Sequence, residues 1–138
     1  MAMHLRIVCP ESKAYEGDCA FVTIPSTDGA LGVLPHHASE ICTIEPGVVR
    51  VCDTAMGQVS HTFVVGTGYA QVADDQLVIL AERAADLSEV KADEVRAKQR
   101  EFEDKLGTLS EDDAHRSYLY NEIAWCKLLL ASLEEQKS

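Results

Sequence analysis

Histidines and cysteines are the residues of this 138-residue chain best suited to bind a metal or act in catalysis, and there are five of each. Two of the histidines, His36 and His37, are adjacent. Neighbouring side chains on an extended segment point in opposite directions, so one ion rarely binds both. Neither cysteines nor carboxylates stand at a standard zinc spacing around the pair. We therefore expect no metal site here and assign both histidines to a loop or an interface.

Cys42 is the thiol closest to His37 in the sequence. A cysteine nucleophile needs such a base and an exposed, electropositive setting, whereas the run Ile41–Ile44 is typical of a packed strand. The five cysteines show no CxxC spacing and lie mostly in apolar runs, which favours reduced thiols in a cytosolic setting. The motifs GxSxG, HExxH, GxxxxGK[ST] and GxGxxG do not occur. We predict a non-catalytic protein, with an enzyme that depends on His37 or Cys42 as an alternative.

The charge of the chain limits its partners. Its net charge is −11, and the residues on either side of position 86 are both acidic overall. Binding to nucleic acid or to an anionic lipid surface requires a basic patch, and the sequence does not contain one. No apolar run approaches the roughly 20 residues that span a bilayer, and the first residues lack a signal-peptide pattern. We expect neither nucleic-acid binding nor direct lipid insertion.

Proline and glycine divide the chain near residue 86, because all four prolines and seven of the eight glycines precede it. Many short strands at close spacing predict an antiparallel β-sandwich or flattened barrel over residues 1–85. In the run 59–65, Val59, His61, Phe63 and Val65 are expected to share one face. The strand-like runs lie at residues 3–9, 19–24, 31–34, 41–44, 48–51, 59–65, 69–72 and 77–81.

Residues 86–138 are expected to form an α-helical hairpin. Asp86 and Glu89 fit a capping box at the start of a first helix. Gly107 fits the position just after that helix, and Ser110 fits the cap of the second. The first helix carries a thin apolar stripe and the second a much richer one. We expect a short connection between them, with the first helix not committed to deep burial.

The segment Val22–Ala38, with the sequence VTIPSTDGALGVLPHHA, closely resembles the signature of the ε subunit of F-type ATP synthases. Three further segments also match, and the resemblance covers essentially the whole chain, though it is weak by sequence in the hairpin. His36 replaces the family's usual glycine, Ser39-Glu40 replaces a proline and an apolar residue, and Thr67 replaces one glycine of a pair. The further matching segments are EPGVVRV at residues 45–51, VVGTGYAQV at 64–72 and LVILAE at 77–82.

This resemblance implies a non-catalytic subunit with a ten-stranded sandwich at the foot of a rotor stalk. The sandwich, residues 1–85, is expected to bind the γ subunit and the loops of the membrane c-ring. The hairpin, residues 86–138, is expected to regulate the enzyme by extending between the catalytic α and β subunits and inhibiting ATP hydrolysis. The complex is expected at the cytoplasmic face of the inner membrane, as a peripheral assembly. His37 matches the γ-contacting histidine, and the ring-contacting segment matches Asp28, Gly29, Ala30, Leu31, Gly32 and Val33.

Two features of the hairpin follow from the same resemblance. Some members bind regulatory ATP through I/L-D-x-x-R-A, which residues 92–97 match except at the first position and which implies contacts from Asp93, Arg96 and Ala97. An ungapped count from Ala81 instead places the motif a few residues earlier, where it fails, so both registers stay open. In the extended form, basic residues are expected to face acidic segments of the catalytic subunits, with plain surface charge as the alternative. These residues are Lys98, Arg100, Arg116 and Lys127.

A free-standing adaptor of the same architecture is the other function that the sequence allows. Its hairpin would bind an unrelated helical partner. Co-purification separates the two hypotheses, because only a synthase subunit brings γ and the catalytic subunits with it.

Overall fold

A computed structural model describes residues 2–137 of the chain. The chain forms two compact units, one ending at Ser88 and the other beginning at Glu89. The first unit is a ten-stranded sheet folded into a sandwich, and the second consists of two helices. The predicted fold class, a β-sandwich followed by an α-helical hairpin, is confirmed.

The strands are β1 Met3–Cys9, β2 Ser12–Cys19, β3 Phe21–Ser26, β4 Gly29–Val33, β5 Glu40–Ile44, β6 Gly47–Cys52, β7 His61–Val65, β8 Gly68–Ala73, β9 Gln76–Ala81 and β10 Ala84–Asp86. They pair in the order β10-β7-β6-β3-β5-β8-β9-β1-β2, and β4 pairs with β3 beside this path. All pairs are antiparallel except β1 with β9, which is parallel.

Strand β2 was missed by the hydrophobic pattern, because most of its side chains are exposed. It is held by pairing with β1 and by polar contacts across that pair. The His4 ring lies between two carboxylates, with Nδ1 2.9 Å from Asp18 Oδ1 and Nε2 2.6 Å from Glu16 Oε2. These hydrogen bonds raise the pKa of His4. The pKa of Glu16 falls to about 2 because Lys13 and His4 both bond to its carboxylate.

Two further strand assignments need correction. The run 59–65 becomes a strand only from His61, and Val59 precedes it with 50% of its surface exposed. Its two faces do not differ in burial as alternation predicts, because Val64 is buried along with Phe63 and Val65. The predicted hairpin begins at Asp86, whereas Asp86 is the last residue of strand β10, which is too short to show a periodicity of its own.

The core of the sandwich is filled by alternate residues of its strands, as a half-buried sheet requires. The largest fully buried side chain is that of Phe63. Tyr15 on β2 covers it from the side, with the two ring centroids 5.2 Å apart. The other large buried members include Met3, Leu5, Ile7, Val22, Ile24, Val33, Val49, Val51, Leu77 and Ile79.

The first helix begins later than the capping box predicted. The Asp86 carboxylate accepts hydrogen bonds from Ser88 N–H and Ser88 Oγ, at 3.0 and 2.8 Å. It therefore closes a short 3-10 turn, Leu87–Glu89, instead of capping an α-helix. Helix α1 spans Ala92–Thr108, and the residue that precedes it provides no side-chain cap.

The connection between the helices also differs from the prediction. Gly107 lies within α1, without the positive φ of a helix-ending glycine, and the helix ends as Leu109 N–H donates to Leu106 O at 3.2 Å. Helix α2 spans His115–Lys137. Its first amide, His115 N–H, donates to the carboxylate of Asp113 at 2.9 Å, so Asp113 and not Ser110 caps the helix.

The two helices differ in how many side chains they bury. Within α1 only Val95 is buried. Helix α2 instead buries one residue in every turn over most of its length, and its apolar stripe follows the helical period. These buried residues are Leu119, Ile123, Cys126, Leu129 and Ser132.

Two glycines with opposite environments test the packing. A Cβ on Gly68 would stand 1.8 Å from the carbonyl oxygen of Leu80, whereas one on Gly107 would meet nothing within 4 Å. Gly68→Ala is therefore expected to destabilise the sandwich by about 2 kcal/mol or more, since backbone must move. Gly107→Ala is expected to stabilise α1 by about 0.5 to 1 kcal/mol. Urea unfolding followed by circular dichroism measures both, and equal effects would contradict the packing described.

Candidate interaction surfaces

The turn between β3 and β4 presents Asp28 at its tip. Ser26 Oγ donates to Gly29 O at 2.6 Å and accepts from Asp28 N–H at 3.2 Å, which locks the two-residue turn. Gly29 has a φ of 115°, a conformation that side chains disfavour. Asp28 to Ala30 and Gly32 are exposed, while Val33 is fully buried in the core. Of the six residues predicted to contact the ring, Val33 is thus unavailable to a partner through its side chain.

The loop after β4 contains both adjacent histidines, and each makes its own contacts. His36 N–H donates to Asp75 Oδ1 at 2.6 Å, and its ring Nδ1 lies 3.4 Å from Asp75 Oδ2. The ring of His37 turns elsewhere, with Nδ1 2.9 Å from Ala38 O and Nε2 3.9 Å from Glu40 Oε1. Separate carboxylates thus engage the two rings, which do not converge on one ion.

Asp75 organises this end of the sandwich, and sequence patterns did not single it out. Together with Asp74 it forms the two-residue turn between β8 and β9, in which both residues have positive φ. Its carbonyl oxygen accepts from His4 N–H at 2.9 Å, while its carboxylate holds His36. His36 itself has a φ of 67°. The loop therefore keeps a left-handed residue where the family resemblance places glycine.

The Asp28 tip and the His37 loop lie at opposite ends of the sandwich. Strand β4 leaves the tip at Gly29 and reaches the other end at Val33, where the loop begins. Thr27 N–H donates to Thr43 O at 3.1 Å, which places the tip beside the last residues of β5, whereas His37 precedes the first. Five strand residues separate the ends, or roughly 15 Å. The structure therefore gives these two predicted contacts separate surfaces.

An exposed apolar patch lies on the outer face of β5, β8 and β9. Its members are Ile41, Tyr69 and Leu80, which are 70%, 58% and 48% exposed, and we call it the outer patch. Tyr69 is the direct cross-strand partner of Leu80 on one side and of Thr43 on the other. Ile41 shares the face of Thr43, two residues along β5. The three residues are far apart in the sequence, so only strand pairing reveals the patch.

Three of the thiols have the opposite properties to those of nucleophiles. Burial raises the pKa of Cys9 and Cys42, and burial with nearby Asp53 raises the pKa of Cys19 to about 11. Cys42 packs against the core, while its neighbour Ile41 faces outward. Between residues 2 and 137, no three His, Cys, Asp or Glu side chains converge as metal ligands.

The predicted nucleotide contacts lie at the start of α1. Arg96 Nη1 is 3.2 Å from Asp93 Oδ1, so the two charged groups of the motif bond to each other across one helical turn. Ala97 follows on the exposed surface. A nucleotide phosphate would have to displace Asp93 from Arg96. The ATP site stays a prediction.

Among the four basic residues predicted to meet catalytic subunits, Arg116 differs from the others. Lys98, Arg100 and Lys127 are exposed, whereas Arg116 is partly buried at the start of α2. Its Nη1 donates to the carbonyl oxygens of Leu106 and Leu109 at 3.4 and 3.3 Å, and its Nη2 donates to Tyr120 Oη at 3.0 Å. Arg116 thus caps the carboxyl end of α1 and ties it to α2.

Neither α1 nor α2, the α-helices of the described residues, is long and apolar enough to cross a membrane.

Comparisons with known proteins agree on one family. Residues 2–86 match the family described as "ATP synthase, Delta/Epsilon chain, beta-sandwich domain". The chain is 34% identical over 131 residues to the ATP synthase epsilon chain of Hyphomonas neptunium, covering 95% of this chain and 96% of that one. It is 35% identical over 103 residues to that of Synechococcus sp., covering 75% and 74%.

Two solved structures share the fold. A chain of the mitochondrial ATP synthase of Euglena gracilis, in its OSCP/F1/c-ring assembly, superposes with a TM-score of 0.73 at 23% identity, covering 96% of this chain and 81% of that one. A chain of the central stalk and c-ring of the Tetrahymena thermophila enzyme gives 0.62 at 19% identity, covering 96% and 97%.

The role of Asp75 is tested against its neighbour in the same turn. Asp75→Ala removes the acceptor for His36 N–H and is expected to cost about 1 kcal/mol of unfolding free energy and to speed exchange of the His36 amide. Asp74→Ala is the matched control, because Asp74 has the same left-handed backbone but is exposed. Urea unfolding and NMR-detected hydrogen exchange measure both effects. Equal losses in the two variants would contradict the anchoring role.

Proposed function

The chain belongs to the ATP synthase epsilon-chain family, whose members are non-catalytic subunits, and we propose that it is a rotor-stalk subunit that couples rotation to synthesis and restrains hydrolysis. The observation that carries this proposal is the match to an epsilon chain over 95% of the chain, hairpin included. As a peripheral part of the complex, the chain would lie at the cytoplasmic face of the inner membrane. No observation favours a free-standing adaptor.

The sandwich is proposed to bind two partners at different places. The Asp28 tip and the exposed part of β4 would meet the loops of the c-ring. The γ subunit would bind near His37 and over the outer patch, because exposed apolar patches of this kind mark protein contacts. Since the tip and the His37 loop lie at opposite ends of β4, one small domain can join ring and shaft without the two contacts overlapping.

The hairpin is proposed to act as the regulatory element. A helix that buries one side chain, as α1 does, is compatible with two packings that differ by only a few kcal/mol. In the hairpin of this structure the Arg116 guanidinium donates a hydrogen bond to the end of α1, whereas Lys98, Arg100 and Lys127 are exposed. The exposed cations would meet acidic segments of the α and β subunits first, and Arg116 only after the hairpin opens.

Binding of γ through the outer patch is tested by placing a charge there. Tyr69→Glu is expected to lower co-purification of γ at least tenfold, since a carboxylate would be buried without a partner. Met56→Glu is the matched control, because Met56 is equally exposed, at 59%, in the loop between β6 and β7. Pull-down from the source cells measures both. Equal recovery with Tyr69→Glu and with the control would contradict docking on the outer patch.

The regulatory role is tested by ending the chain after Ser88, at the boundary between the units. The shortened chain is expected to assemble with the synthase, because the whole sandwich core lies before this point. ATP hydrolysis by the assembled complex is expected to rise several-fold, since the inhibitory element is gone. An assembled complex that stays as inhibited as the wild type would overturn the switch role of the hairpin. If neither the shortened chain nor the full-length chain assembles with the synthase, the subunit assignment is wrong.

A further inference from the structure

Strand β4 forms an open edge of the sheet. Among the strands of residues 2–137 it pairs with β3 alone. The turn between them has two residues, so the flanking pair, Ser26 and Gly29, exchanges both backbone hydrogen bonds. Hydrogen-bonded and non-hydrogen-bonded residue pairs alternate along an antiparallel ladder. The N–H and C=O groups of Leu31 therefore point toward β3, and those of Ala30 and Gly32 point away from it.

The opposite edge of β3 supports this alternation. Pro25, the partner of Ala30, has no N–H, and its carbonyl oxygen accepts from Glu45 N–H at 2.9 Å on the side away from β4. The pair formed by Pro25 and Ala30 is therefore a non-bonded one, as the turn requires. Ala30 and Gly32 present two N–H donors and two C=O acceptors at the open edge, and both residues are exposed.

Two of the edge strands of the sandwich, β2 and β4, differ in how they are protected. Strand β2 carries Lys13, Glu16 and Asp18 and pairs with β1 through a bulge, which are features that discourage pairing with a foreign strand. Strand β4 has the sequence GALGV, with neither charge, proline nor bulge. The small residues Ala30 and Gly32 let another backbone approach to the roughly 4.8 Å of a sheet.

The charge at the open edge indicates the partner. Asp28 stands exposed at the turn that begins β4, and residues 26–34 contain no lysine or arginine. A segment lying along β4 would therefore gain from a basic side chain opposite Asp28. Extended segments bind open sheet edges in this way, through main-chain hydrogen bonds.

We propose that an extended, basic segment of a partner subunit adds to the sheet as a further strand, paired with the backbone of Ala30 and Gly32. This inference rests on the proposed function, which makes the partner a subunit of the ATP synthase. It specifies the mode of contact as backbone pairing along β4 and not side-chain contact at the tip alone.

Amide hydrogen exchange at single-residue resolution tests the pairing. The full chain is measured alone and after rebinding to ATP synthase stripped of this chain. Exchange at Ala30 and Gly32 is expected to slow at least tenfold on rebinding, while Leu31, already bonded to β3, is the internal control and changes little. Rebinding with both amides still fast would overturn the edge pairing but not the proposed function. Failure of the wild-type chain to rebind would overturn the proposed function and this inference with it.

A second copy of the chain is the competing occupant of the edge. If it pairs there, Ala30 and Gly32 would become protected in the isolated chain as its concentration rises, without any synthase. That result would overturn the assignment to a partner subunit.

A proline scan gives an independent measurement. Ala30→Pro removes one outward N–H and no internal bond, so rebinding is expected to weaken about tenfold. Ala14→Pro is the matched control, because Ala14 is the unpaired residue of the bulge in β2, also on an exposed edge. Circular dichroism verifies folding of both variants. Wild-type affinity in a folded Ala30→Pro chain would overturn the proposal, and misfolding would leave the exchange measurement as the deciding one.

Discussion

Parallel pairing of β1 with β9 is the contact on which the sandwich depends. The two strands are separated by most of the first unit, so their pairing carries the largest loop-closure cost of the sheet. It is offset by apolar burial. The direct partners Leu5 and Leu77, and likewise Ile7 and Ile79, are all fully buried in the core. The same contact therefore joins the β1–β2 hairpin to the rest of the sheet and fills the centre of the sandwich.

The pairing of β1 with β9 also places the loops on which the proposed function rests. Because β9 lies beside β1, the turn that precedes β9 reaches the start of β1, and Asp75 bonds to His4 as well as to His36. The loop that carries His37 is thereby fixed to the sandwich by one residue of a remote turn. The outer patch arises in the same way, since Ile41, Tyr69 and Leu80 meet only through the pairing of β5, β8 and β9.

The second unit is governed by fewer contacts. Its first helix buries Val95 alone, and the end of that helix is held by the Arg116 guanidinium, which bonds to the carbonyl oxygens of Leu106, in the last turn, and of Leu109, just after the helix. A residue that composition marks as a free surface cation is therefore part of the hairpin's own structure. The small burial of the first helix is compatible with the proposed regulation, because an element that must open cannot be stabilised by a large apolar interface.

The sequence by itself determined the fold class and the family. Proline, glycine and apolar spacing are local signals, and the segment from Val22 to Ala38 is specific enough to identify the relatives. Tertiary structure decided the features that depend on residues distant in the sequence, namely which polar segments become strands and which strand lies at an edge. Strand β2 is too polar to show periodicity and exists because β1 pairs with it. Asp86 does not start a helix as its sequence context predicts, because β10 pairs with β7. That β4 is an edge strand follows only from the pairing of all the other strands. Backbone hydrogen bonds between remote strands leave no pattern in the residues that make them, because any residue except proline can donate them.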